Sequence, residues 1–222
     1  MIPLPPHHEV ARLRSYILRW YSKQKRDFPW RSTDDIYKKL IAEMMLQRTR
    51  ANQVVPVYNK LVTTYSTISE LSEGNKQNIY NILQPLGLVW RSKNIRSLAK
   101  LIETKCSGKI PEQKEQLLEL PGIGDYVSGA LITTAYNRRC WVVDSNIARF
   151  YSRFFNIPVS SEGRRDRNII SVAKIYSKSR KPRVSFYALI DFSSIICKPK
   201  TPRCGSCPVL KSCKYPNKYE IT

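Results

Sequence analysis

Apolar residues in this 222-residue chain recur at intervals of three and four, and nowhere do they sustain the alternation of a strand. Between Glu9 and Tyr21, the side chains of Val10, Leu13, Ile17, Trp20 and Tyr21 fall on one helical face, and Val54, Tyr58, Leu61, Val62 and Tyr65 repeat the pattern. Ile36 to Gln47, Ile79 to Leu83, Ile95 to Ile102, Asn146 to Phe155, Ile169 to Ser177 and Phe186 to Ile196 read the same way. About ten short helices with brief loops predict a compact all-α protein, without internal repeats or low-complexity stretches. No stretch approaches the roughly 18 uninterrupted apolar residues of a membrane span. With 42% hydrophobic residues the chain is too apolar to be disordered. Its length is enough to bury about 70% of the unfolded surface in one large domain or two small ones.

Charge narrows the function. Thirty-eight Lys and Arg against 17 Asp and Glu leave a formal charge of +21, more than solubility requires, and nucleic acid is the commonest polyanion that such an excess serves. An anionic membrane surface is the rival, but the basic residues are spread over the whole chain and not gathered in one amphipathic segment. From Gly163 to Arg183 eight basic residues face one acidic, Asp166, which reads either as a solvated helix face or as a phosphate-facing one. The first eight residues lack the basic and apolar regions of a secretory signal, so the six cysteines are expected in a reducing cytoplasm.

Four of those cysteines lie in one irregular segment rich in Pro and Lys: Cys197, Cys204, Cys207 and Cys213, with six, two and five residues between them. Four thiolates call for a cation, and both tetrahedral zinc and a cubane iron–sulfur cluster take four cysteines. The spacing departs from the paired short knuckles of a zinc ribbon and is similar to the iron–sulfur loop of DNA glycosylases of the endonuclease III type. Cys106 and Cys140 stand alone and read as buried small hydrophobes.

A second signal is Leu117-Leu118-Glu119-Leu120-Pro121-Gly122-Ile123-Gly124-Asp125-Tyr126-Val127, a helix, a Gly-X-Gly turn and another helix. Glycine permits positive φ and close approach of another backbone, and the amides that open the second helix point outward, ready for phosphate. About twenty residues on comes Val142-Val143-Asp144-Ser145-Asn146.

Together these pieces resemble the helix-hairpin-helix DNA glycosylase superfamily over nearly the whole chain, from Arg26-Asp27-Phe28-Pro29-Trp30-Arg31 to Cys213. The resemblance implies two helical domains of the endonuclease III-like fold, residues 27–136 as one, and 1–26 with 137–222 as a cluster-bearing other. A DNA-binding cleft between them and a C-terminal [4Fe-4S] loop are part of the same expectation. It places Asp144 where the family holds a carboxylate near the sugar C1′, which stabilises an oxocarbenium-like transition state; the residue also reads as a helix cap. The lyase branch has a lysine two residues after the second hairpin glycine. Here that position is Tyr126, which has no amine for a Schiff base, and this points to a monofunctional enzyme that uses water. On pattern alone Tyr126 also reads as core packing. Glu43, in Leu40-Ile41-Ala42-Glu43-Met44-Met45-Leu46-Gln47, is the match for the family's proton donor or water-orienting residue, and otherwise a solvated glutamate.

Gln47-Arg48-Thr49 falls between the Gln-Gln-Thr of adenine glycosylases of the MutY type and the Arg-Arg-Thr of thymine mismatch glycosylases of the Mig type. The resemblance implies that this loop enters the duplex and faces the base left behind. Leu88, Gly122, Gly124, Val127, Asn146, Lys198 and Lys200 are the further DNA-contacting positions it implies. Only nine residues follow Cys213, which leaves no room for the 8-oxoguanine-recognising domain of the MutY branch, and Gly87-Leu88-Val89-Trp90-Arg91 lacks that branch's tyrosine pair. The expectation is therefore a monomeric, cytoplasmic and nucleoid-associated enzyme acting on double-stranded DNA with a G:T or G:U mismatch. Excision of adenine opposite guanine or 8-oxoguanine is the alternative.

Overall fold

The computed structural model describes residues 4–87, 89–159 and 163–216. Among these are eleven α-helices, four short 3-10 turns and no strand. The helices are α1 (His7–Gln24), α2 (Ile36–Leu46), α3 (Ala51–Thr64), α4 (Ile68–Glu73), α5 (Lys76–Leu83), α6 (Val89–Cys106), α7 (Lys114–Leu118), α8 (Asp125–Thr134), α9 (Ser145–Phe155), α10 (Arg167–Tyr176) and α11 (Pro182–Ile195). Each apolar period read from the sequence coincides with one of them. No helix among the described residues is long and apolar enough to cross a membrane.

Short polar side chains set where the helices begin. Asp35, Thr67, Asn75, Asp144 and Asp166 each accept a hydrogen bond from a main-chain amide in the first turn of α2, α4, α5, α9 and α10. Each such cap contributes about 1 kcal/mol by satisfying an amide that the helix itself leaves without a partner.

The chain divides into two compact units, Asp27–Tyr136, and Met1–Arg26 together with Asn137–Thr222. In the first, α2 is the central element: Tyr37 and all residues from Lys39 to Met45 are buried, because α3, α6 and α8 pack around it. Phe28 stacks on Trp30 at 5.0 Å, Trp30 meets Tyr58 edge-on at 5.3 Å, and the Tyr37 hydroxyl donates to the Tyr65 carbonyl at 2.7 Å. In the second, α1 packs on α10 and α11, and α9 packs on α11, around Phe150, Tyr151, Phe154, Tyr176 and Phe192. The chain is pinned where it leaves this unit: the Arg26 amide and Nε donate to the fully buried Asp191 carboxylate at 3.0 and 2.7 Å.

Candidate active site

In the Asp27–Tyr136 unit, α7, the turn and α8 form a hairpin closed by an ion pair between Lys114 Nζ and Asp125 Oδ1 at 2.8 Å. Gly122 has φ +81°, which strains any residue with a side chain, and a Cβ there would press on Met44 Cε at 2.7 Å. Gly124 has an extended backbone, and a Cβ on it would meet nothing of the protein within 4 Å. The room beside Gly124 is open outward, next to the α8 amides that have no intrahelical acceptor. Tyr126 is half-buried on the first turn of α8. Val127 is 3% exposed: its side chain belongs to the core, and its main-chain amide lies in the first turn of α8.

Glu43 is 6% exposed, between Leu40, Ile41, Met44 and Met45, which are fully buried. A solvated glutamate is therefore the wrong description. Lys39, one turn before it on the same face, is also buried. At the end of α2 the Gln47 side chain donates to the Gly122 carbonyl at 3.0 Å, which joins this helix to the hairpin turn. Arg48 is exposed and adopts the left-handed region at φ +58°. Leu88 lies outside the described residues; Gly87 before it has φ +67°.

In the other unit Val142 and Val143 are buried and deliver Asp144, half-buried, to the start of α9. Its Oδ1 accepts from the Ile147 amide at 2.7 Å and its Oδ2 from Asn146 Nδ2 at 3.0 Å. Both carboxylate oxygens are thus held, at the helix end whose dipole favours an anion. Asp144 is thus the cap of α9. Asn146 Oδ1 in turn accepts from Arg149 Nη2 at 3.0 Å, and the same guanidinium donates to the Cys197 carbonyl at 2.8 and 3.0 Å and to the Ser193 carbonyl at 3.0 Å. A continuous run of hydrogen bonds links the first cysteine of the segment to Asp144. Asn146 is half-buried, and its amide joins the Asp144 carboxylate to Arg149. Burial lowers the Arg149 pKa from its ordinary value, an effect that Cys197 and Asp144 oppose.

The four thiols of Cys197, Cys204, Cys207 and Cys213 form no disulfide and line one hollow, with Phe150, Phe154, Phe192 and Val209 around them. Burial pushes the Cys207 thiol up to about 12; the Val209 amide works against this, and the other three thiols add to it. Thiols that mutually disfavour ionisation, gathered in an apolar wall, fit a polycationic group that holds them as thiolates. Among the described residues no three or more His, Cys, Asp or Glu gather closely enough for one metal ion; the thiols stand around a shared space instead. Arg153 braces the rim, donating to the Lys198 and Pro199 carbonyls, each at 2.7 Å. Lys200 and Arg203 are exposed there and Lys198 is half-buried. Cys106 and Cys140 are half-exposed, not buried as the sequence suggested: Cys106 is the last residue of α6 and Cys140 lies within the irregular segment between α8 and α9.

The model of the HhH-GPD superfamily base excision DNA repair proteins matches residues 41–168. This chain belongs to that superfamily. Among curated HhH-GPD relatives, the thymine/uracil-DNA glycosylase of Methanothermobacter thermautotrophicus is 31% identical over 90% of this chain and 91% of its own. The thymine-DNA glycosylase of Aeropyrum pernix is 32% identical over 94% and 96%. An adenine DNA glycosylase of Buchnera aphidicola is 32% identical over 89% of this chain, which spans only 56% of that protein. A solved thermostable thymine-DNA glycosylase superposes with a TM-score of 0.86 at 31% identity, over 95% of this chain and 98% of that one. A non-covalent endonuclease III–DNA complex, at 18% identity and a TM-score of 0.81, shares the HhH-GPD fold.

Arg149, central to these contacts, and Arg91, which donates to the Gln47 carbonyl and to Thr49 Oγ1, were not among the residues that the sequence singled out. Their acceptors lie 42–48 residues away along the chain for every bond but the local ones, and no local pattern marks an arginine that turns onto distant backbone.

Proposed function

We propose that this protein is a monofunctional DNA glycosylase that hydrolyses the N-glycosidic bond of thymine or uracil mispaired with guanine. One observation carries the reading: Asp144, with both oxygens fixed by hydrogen bonds, in a chain that has Tyr126 where an imine-forming enzyme needs an amine. The thymine/uracil glycosylases that match it over nine-tenths of their length support the choice of base. The mispaired pyrimidine is extruded from the stack, at less cost than a paired one. As the C1′–N1 bond breaks, the Asp144 carboxylate stabilises positive charge on the sugar, and the base leaves with the bonding electrons. Water adds to C1′, and the proton it loses neutralises the departing base. Glu43 orients that water; Tyr126 packs against the extruded nucleotide. Asn146 and Arg149 keep the carboxylate in place.

Gln47, Arg48 and the segment at Leu88 meet the gap and the base left behind, and Gly122, Gly124 and the first amides of α8 hold a phosphate. Cys197, Cys204, Cys207 and Cys213 hold a [4Fe-4S] cluster, whose part is structural: it keeps Lys198, Lys200 and Arg203 in a fixed loop against the DNA backbone. The protein works as a monomer on duplex DNA in the nucleoid. The alternative, excision of adenine with Glu43 as proton donor, has support in the adenine glycosylase relatives and in Gln47. Single-turnover assays on labelled duplexes carrying G:T, G:U, A:G and A:8-oxoguanine separate the two. Products from G:T and G:U alone support the proposal; products from the adenine duplexes alone replace it with the alternative.

A further inference from the structure

Arg91, in the first turn of α6, has 0% exposure. Its Nη2 donates to the Gln47 carbonyl and, at 2.9 Å, to Thr49 Oγ1, and its Nη1 donates to the Leu86 carbonyl at 3.3 Å. Removing a guanidinium from water is unfavourable, and an apolar side chain of similar volume would fill the space without that penalty. What a guanidinium adds is its fork of donors in fixed geometry. Two of its acceptors are main-chain carbonyls, so the contact sets loop backbone whatever side chains the loops carry.

Arg48 lies between the two tied residues. Its positive φ is a conformation that a residue other than glycine keeps only where its surroundings over-determine it. Those surroundings are named by the bonds: Arg91 holds the carbonyl of Gln47 and the hydroxyl of Thr49, while the Gln47 side chain is anchored on the Gly122 carbonyl. The exposed Arg48 is thereby presented outward at a fixed place, and the turn that ends at Leu86 and Gly87 is held by the same guanidinium.

We infer that Arg91 is a positioning residue for opposite-base selectivity: it fixes the backbone at 47–49 that presents Arg48 to the base left behind after extrusion. This rests on the proposed mismatch glycosylase activity and assigns a device that selects its substrate.

The test uses the full-length protein and its R91M, R91K and T49V variants. Single-turnover excision is compared on two duplexes, one with the target base opposite guanine, the other with the same target opposite an abasic site, where no base remains for the loop to meet. The ratio of the two rates is the readout, beside the melting temperature. R91M is expected to lower the ratio about tenfold or more, the scale of one charge-assisted hydrogen bond, with R91K and T49V lowering it less. The rate opposite the abasic site should stay within about threefold of the unmodified protein, since the chemistry is untouched. An unchanged ratio in all three variants overturns the inference, and so does an equal loss on both duplexes, which marks a loss of stability alone. Should R91M fail to fold, T49V, which leaves the guanidinium and removes the Thr49 hydroxyl with its bonds to Arg91 and to the Gln47 carbonyl, decides by the same criteria. If the unmodified protein removes adenine and not thymine, the mismatch reading fails, and the ratio measured with adenine as the target still judges Arg91. If it removes no base, quenching of a fluorescent guanine analogue opposite an abasic site on binding decides, and equal quenching by R91M and the unmodified protein overturns the inference.

Discussion

The two units of this chain differ in charge far more than in fold class. Met1–Arg26 with Asn137–Thr222 carries 24 Lys and Arg against 6 Asp and Glu, whereas Asp27–Tyr136 carries 14 against 11. Nearly the whole excess of +21 thus belongs to the unit that holds Asp144 and the four thiols. The near-neutral unit holds the glycine turn, the left-handed Arg48 and the buried Arg91, features in which hydrogen-bond geometry matters more than net charge. On the proposed function this is a division of labour: one unit would supply long-range attraction for a polyanion and the anchored carboxylate, the other the shaped contacts that select the base. Substitutions in the two units should therefore fail in different ways.

The largest effect is expected at the thiol hollow. Cys204→Ser should give colourless, poorly soluble protein, checked by visible absorbance and iron and sulfide content; a yellow-brown, active variant would remove the cluster from the account. Next in size is Asp144→Asn. Asparagine caps a helix about as well as aspartate, so melting should change little and duplex binding should persist, while single-turnover excision falls by about 10²-fold or more.

In the near-neutral unit, Gly122→Ala should lower stability by about 2 kcal/mol, because it strains a positive φ and drives a methyl into Met44. Gly124→Ala meets no protein atom, so its stability should stay within about 0.5 kcal/mol while duplex affinity falls. Equal stability losses in both would contradict the view that the space beside Gly124 belongs to a ligand. The smallest effects sharpen the contrast most. Lys200→Ala should reduce the slope of log affinity against log salt by about 1 and leave selectivity among mispairs alone. Gln47→Ala should change selectivity and leave the slope alone, since it removes a neutral tie between α2 and the hairpin.

Much of the architecture was legible in the sequence because apolar periodicity survives burial on one face. The six-residue α4 is too short to show a period, and α6 starts six residues before Ile95 because its first turns carry Trp90, Arg91, Ser92 and Lys93, which do not read as a core face. The glycine turn and the cysteine spacing were legible as local patterns. The hydrogen bonds from Cys197 through Arg149 and Asn146 to Asp144 were not, since they join positions that only folding brings together. A local pattern does not show whether Glu43 is solvated; its burial comes from the packing of α3, α6 and α8 around α2.

The most direct test of the account is the fate of the strand after excision at a G:T mismatch, with the product split with and without alkali and with borohydride added to trap any imine. Tyr126 at the hairpin and Asp144 as the anchored carboxylate predict an intact abasic strand that breaks only after alkali, with no trapped complex. Breakage without alkali together with a borohydride-trapped protein–DNA adduct would contradict it, and would mean that an amine of this chain attacks the sugar in place of water.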